Sequence, residues 1–186
     1  MALLLAAVRM FNERGFHATS LEDVAASLGV TKPVIYHHLG NKEQVLFECV
    51  RIGLGELQLG ADQARSTPGT GLDRLKTFLR SYAESVMGDF GTCVIRTGDE
   101  LLSPQSRTDL RALKSEIDGA MRGIIEDAVA DGSANVTDVR LTAFTFAGAL
   151  NWPARWYRAD GELDSRVMAY RLVETLCNGI MPKSTR

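Results

Sequence analysis

The sequence predicts an all-α fold on three observations. Apolar residues recur at intervals of three and four along most of the 186 residues. The alternation expected of strands is nearly absent. Ser, Thr and Asn caps stand where the helical stretches begin, and glycines where they end.

Leu4, Val8 and Phe11 mark the inner stripe of a first helix, which Gly15 stops. Thr19-Ser20-Leu21-Glu22 reads as a capping box with Thr19 as N-cap and Glu22 reaching back, and Leu21, Val24, Ala25 and Leu28 form the stripe of a second helix. Gly29 breaks that helix at a position where a left-handed backbone costs little. Thr31 caps a third helix, with Pro33 in its first turn, where the missing amide had no helical partner. Asn41-Lys42-Glu43-Gln44 is a further capping box and opens a fourth helix to about Leu59. Three glycines and Pro68 make residues 60–71 a loop. Helices are then expected over 72–87, 97–102, 106–131, 137–156 and 163–180. The 106–131 helix carries Leu110, Leu113, Ile117, Met121, Ile124 and Ile125 on one side.

Composition narrows the function classes. The chain has 21 Lys and Arg against 23 Asp and Glu, net −2, which excludes a polybasic protein held to nucleic acid by bulk charge. A small DNA-reading surface remains compatible with that balance. Cys49, Cys93 and Cys177 are odd in number, far apart and without a C-x-x-C pair, so neither a disulfide framework nor a zinc site is expected. His17, His37 and His38 lack any H-x-x-x-H spacing, and no metal is expected. G-x-S-x-G, Walker A and dinucleotide signatures are missing, so no catalytic residue and no cofactor is assigned. No run of 18 uncharged apolar residues exists, and the opening Met1–Ala7 stretch lacks a basic flank and a cleavage site. A cytoplasmic protein without a membrane partner is the expectation.

The informative motif is the pair of short helices joined through Gly29. On spacing alone it is either an ordinary helical corner or a helix-turn-helix, which lays its second helix in the DNA major groove. Residue choice favours the groove reader. Thr31, Lys32, Pro33, Tyr36 and His37 face away from Val34 and Ile35, and hydroxyls, cations and stacking groups of this kind hold phosphates and base edges.

The run Ala6-Ala7 through Phe11, Gly15-Phe16, Ala18-Thr19-Ser20, Asp23-Val24-Ala25, Leu28-Gly29-Val30 and Tyr36-His37-His38-Leu39 with Asn41-Lys42-Glu43 resembles the TetR family of bacterial transcriptional regulators. The resemblance implies a helix-turn-helix domain over 1–47 and a helical ligand-sensing and dimerisation domain over 48–186. It implies a homodimer on an inverted-repeat operator in double-stranded DNA, acting as a repressor released by a small-molecule effector. Carried over by position, Lys32, Pro33 and His37 face bases, while Thr19, Thr31, Tyr36, His38 and Lys42 contact phosphates. Many members carry a basic arm before the first helix, whereas this sequence starts inside it. Residues 1–47 balance Arg9, Arg14, Lys32 and Lys42 against Glu13, Glu22, Asp23 and Glu43, so a modest salt dependence per half-site is expected.

In the larger domain the apolar groups Phe78, Tyr82, Met87, Phe90, Met121, Ile125, Phe144 and Trp152 are either core or the lining of a cavity between helices. The resemblance favours a cavity. The stretch Leu150–Arg158 resembles the corresponding region of TetR-type regulators of lipid and sterol catabolism, which implies an acyl coenzyme A or another lipid-derived effector, with Arg96 or Arg155 at its polar end. The other reading of Arg155 and Trp156 is a dimer interface, where Trp and Arg are favoured. Ala147 and Gly148 would let such an interface approach closely, and Leu172 and Leu176 would supply apolar knobs. A rival reading is a small-molecule or protein-binding module that has lost DNA binding; Lys32, Tyr36, His38 and Lys42 argue against it.

Overall fold

The computed structural model describes residues 1–178, with the side chains of Lys32, His38 and Leu39 excepted. Among the described residues there are nine α-helices, two 3-10 turns and no strand. The helices are α1 (Ala2–Arg14), α2 (Leu21–Ser27), α3 (Lys32–Leu39), α4 (Lys42–Arg65), α5 (Gly71–Met87), α6 (Asp89–Arg96), α7 (Pro104–Ala130), α8 (Val139–Asn151) and α9 (Ser165–Asn178). The 3-10 turns are η1 (Asp99–Leu101) and η2 (Trp152–Arg155).

The first three helices form a compact unit around Val8, Phe11, Leu21, Val24 and Ile35, all buried. Gly29 adopts φ 64° between α2 and α3, and the Val30 amide donates to the Ala25 carbonyl across the turn at 3.0 Å. A left-handed residue followed by this backbone bond fixes the angle between the two helices. The cap of α2 lies one residue later than the sequence suggested. Ser20 is the N-cap and makes its box with Asp23, because the Thr19 hydroxyl is turned inward and donates to the Gly15 and Met10 carbonyls. Val34 is exposed, so only Ile35 of that apolar pair enters the core.

The long helix α4 is the spine of the molecule. Asn41 and Gln44 cap it reciprocally, and it continues to Arg65, six residues beyond the expected end. Gly60 does not break it: a Cβ there would lie 2.5 Å from Ser81 Oγ, so the glycine serves close packing of α4 on α5. The loop is correspondingly reduced to residues 66–70. α4 packs against α5, α6 and α7, while α5 also receives α9.

Helix α6 was not anticipated. Its first turn, Asp89-Phe90-Gly91-Thr92, holds poor helix formers, and tertiary contact decides the conformation. Gly91 sits where a Cβ would overlap the Ser85 carbonyl, so α6 can fold back tightly on the end of α5. The helix expected over 97–102 is only η1. That expected over 137–156 ends at Asn151 and tightens into η2, since Pro153 cannot continue the ladder. The end of the helix expected over 163–180 lies outside the described residues beyond Asn178.

Candidate functional site

The exposed strip of α3 consists of Thr31, Pro33, Val34, Tyr36 and His37, all presented to solvent. Lys32 and His38 belong to the same helix, but their side chains lie outside the described residues. The Tyr36 hydroxyl donates to Glu22 Oε1 at 3.2 Å, which holds the ring against α2. Lys42, in the first turn of α4, places its Nζ 4.3 Å from the centroid of the Phe16 ring and 3.4 Å from the His17 carbonyl oxygen. Tyr36 and Lys42 share a shallow concavity of about 260 Å³ with the start of α2. Glu22 and Asp23 also line it, so Lys42 is the group there that suits a phosphate oxygen, with the Tyr36 hydroxyl able to turn from Glu22 toward it.

Thr19 is the correction to this set. It is only 1% exposed and its hydroxyl bonds inward, so the side chain supports the loop before α2 rather than meeting a phosphate.

The larger part of the chain holds an apolar cavity of about 400 Å³ between α4, α5, α6, α7 and α8. That is within the size range of small-molecule sites. Of the residues expected to line it, Tyr82, Met121 and Phe144 do. Phe78 and Ile125 are buried core instead, and Phe78 packs edge-on against Tyr82 with ring centroids 5.9 Å apart. Met87 and Phe90 also pack in the core, because α6 folds over the end of α5. Trp152 is 65% exposed and points away from the cavity.

Arg96 is likewise displaced from its expected place. Its Nε donates to the Ala154 carbonyl at 2.9 Å and its Nη1 to the Asn12 carbonyl at 2.8 Å. It therefore ties α6 to η2 and to the end of α1, at a separate cavity of about 320 Å³ that Arg155 also borders. A second tie lies at the other end of α6, where Arg9 Nε donates to Asp89 Oδ2 at 2.9 Å and Asn12 Nδ2 to the Asp89 carbonyl at 2.7 Å.

Sequence reasoning missed Leu54, Leu57, Thr97, Lys114 and Asn151, all of which line the apolar cavity. The two leucines lie on the buried stripe of α4, which periodicity shows as core; only the placement of α6, α7 and α8 around that stripe makes it a cavity wall. Lys114 and Asn151 have no such periodic signature. The Tyr82 hydroxyl donates to Asn151 Oδ1 at 3.0 Å, and burial pushes the phenol's pKa up to about 12, so it remains a neutral donor.

The residues expected at a dimer interface divide. Gly148, Arg155 and Trp156 are exposed, Ala147 faces the cavity, and Leu172 and Leu176 pack partly against the chain's own core. The open apolar face is made by Leu141, 62% exposed, and Phe144, 53% exposed, with Trp152 beyond them and Val167 and Tyr170 of α9 also exposed.

Comparison with known proteins decides the family. Residues 3–49 match the family described as bacterial regulatory proteins, tetR family, and residues 68–180 match the tetracyclin repressor-like C-terminal domain. The chain belongs to the TetR family. It is 29% identical to the transcriptional repressor KstR2 of Rhodococcus jostii over 96% of this chain and 89% of that protein. Among solved structures, the TetR-family regulator PfmR of Thermus thermophilus matches with TM-score 0.89 and 28% identity, covering 98% of this chain and all of that one. AibR, solved in complex with isovaleryl coenzyme A and operator DNA, matches with TM-score 0.82 and 25% identity over 95% of this chain and 96% of that one. This TetR-family chain is a ligand-responsive transcriptional regulator with operator DNA as its partner, and it works as a homodimer. No helix among its described residues is long and apolar enough to cross a membrane.

Proposed function

We propose that the protein is a cytoplasmic repressor, not an enzyme, that leaves an inverted-repeat operator when an acyl-type effector fills the cavity of α4–α8. One observation carries this reading. Helix α4 supplies Leu54 and Leu57 to the cavity wall and, from its first turn, holds Lys42 beside the helix-turn-helix. A guest that displaces the wall of a stiff helix displaces its other end as well. The division between a 1–47 reading domain and a 48–186 sensing domain thus falls inside α4, the element common to both.

In this reading Pro33, His37 and Lys32 meet base edges, and Thr31, Tyr36, His38 and Lys42 meet phosphates. Two copies join through the open apolar face of α8 and α9, including Leu141, Gly148 and Trp152, which leaves their α3 helices to read half-sites one helical turn apart, about 34 Å. The repressor name of KstR2 and the isovaleryl coenzyme A bound to AibR support the sign and the effector class. Coupling of about 1–3 kcal/mol would change DNA affinity roughly 5–150-fold.

The test is selection of bound duplexes from a random library with full-length protein at moderate salt, repeated with decanoyl coenzyme A present. Recovery of an inverted repeat whose enrichment collapses with the acyl probe is the expected result. A single half-site bound by a monomer, or enrichment indifferent to acyl compounds of any length, would overturn it.

A further inference from the structure

The cavity is apolar along most of its wall but not at the end where α6 runs into η1. There it is bordered by Thr97 and by Lys114 of α7. Lys114 is half-buried, and its ammonium makes no hydrogen bond or ion pair among the described residues. Asp118, one turn further along the same wall, is already neutralised by Arg122. A partly desolvated cation beside an apolar slot is costly unless the guest brings an anion.

Two more cations stand in register with it. Arg111 and Arg107 precede Lys114 by three and seven residues, which places all three on one face of α7. Arg111 Nη2 donates to Asp99 Oδ2 at 2.7 Å. That hydrogen bond, with the charges of Arg111, Lys114 and Arg107, holds the Asp99 carboxyl below the ordinary range, so three cations gather about one carboxylate at the mouth. Arg107 is half-buried, and its guanidinium makes no hydrogen bond or ion pair among the described residues. Asn151 borders the same cavity. Its Oδ1 is taken by Tyr82, and its Nδ2 donors have no partner among the described residues.

We propose that Arg107, Arg111 and Lys114 form the head-group subsite of the effector, receiving the phosphates of a coenzyme A thioester whose acyl chain lies in the cavity and whose carbonyl accepts from Asn151 Nδ2. The inference rests on the acyl-effector reading above and adds to it where the head lies and which chemistry it has. Three cations set against Asp99 leave a surplus that one fatty-acid carboxylate does not match and a multiply charged phosphate group does. Arg96 cannot take this role, because two of its nitrogens are committed to the Ala154 and Asn12 carbonyls.

Calorimetric titration of full-length protein with decanoyl coenzyme A, decanoate and decanol tests the subsite. Wild type should bind the thioester most tightly. Lys114→Met and Arg107→Gln should each weaken it roughly 10- to 100-fold while leaving decanol unchanged. Leu57→Trp, which fills the slot, should weaken all three probes. If decanoate binds as tightly as the thioester, or if Lys114→Met leaves the thioester-to-decanol ratio intact, the subsite is wrong. If Leu57→Trp weakens every probe in that case, the acyl cavity stands without the subsite. If no probe binds wild type, or Leu57→Trp is without effect, both readings fall.

Discussion

The backbone amide of Ser103 donates to Glu43 Oε1 at 3.1 Å, across 60 residues of sequence. This bond fastens the corner between η1 and α7 to the first turn of α4, next to Lys42. The corner carries Asp99 and opens onto the cation strip of α7. A change in the charge balance at the cavity mouth therefore has a direct mechanical route to the helix that borders the DNA-reading unit. Glu43→Ala should cut this route while both sites stay intact. The expected outcome is near-normal operator affinity and near-normal acyl-probe binding, with the probe-induced loss of DNA affinity reduced from roughly 5–150-fold toward unity. Operator titrations with and without decanoyl coenzyme A measure it; an unchanged ratio would assign the coupling to α6 and its ties to α1 instead.

Lys42 is held by the Phe16 ring and the His17 carbonyl at the edge of the depression it shares with Tyr36. Lys42→Met keeps the stem over the ring and removes the charge. DNA affinity should fall by a similar factor on specific and unrelated sequences, and the slope of log affinity against log salt should shrink by about 1 per half-site. A loss confined to the specific operator would mean that the side chain reads bases.

Much of this was legible in the sequence, and the part that was not has identifiable physical causes. The helix-turn-helix showed because Gly29, the caps and the Leu21–Val24–Ala25 stripe are local signals, each acting within one turn of chain. Thr19 and Ser20 are both good cap residues, so local chemistry could not tell which hydroxyl would turn inward to the Gly15 carbonyl. Gly60 read as a break for the same reason, its purpose being contact with Ser81, far along the chain. The cavity was the least legible feature. Phe78 and Tyr82 lie one turn apart on α5, yet one is core and the other reaches Asn151. Only the positions of α6 and α8 separate the two, and α6 itself follows from the fit of Gly91 against Ser85.

Thr19 gives a test of the corrected assignment. Its hydroxyl satisfies the Met10 and Gly15 carbonyls in a buried setting, at 3.2 and 3.0 Å. Thr19→Val keeps the shape and leaves those acceptors short of a donor, which should cost about 1–3 kcal/mol of stability. Thr19→Ser should recover most of it. Operator affinity of the folded Val variant should match wild type, because the hydroxyl never reaches solvent. Loss of DNA affinity at unchanged denaturation midpoint would return Thr19 to the phosphate contacts.

Tyr82 makes the stability of the sensing half depend on alkaline pH. Burial raises the phenol from 10.0 to about 12, opposed by its hydrogen bond to Asn151. The folded protein therefore keeps the proton in a window where the unfolded chain has released it. With fewer protons bound unfolded than folded, stability falls as pH rises, beginning near the unfolded pKa and ending near the folded one. Between pH 10 and about 12 the contribution lost is of the order of 3 kcal/mol. Cys49 and Cys93, also raised by burial, act in the same direction, so the wild-type curve alone does not isolate the phenol. Tyr82→Phe does. The variant should be less stable than wild type at pH 8, since Asn151 loses its donor, and the gap should narrow or reverse by pH 11.5. Urea titrations of the two proteins across that range measure the difference. A gap that stays constant with pH would mean that the phenol is hydrated by way of the cavity and titrates as it does in the unfolded chain.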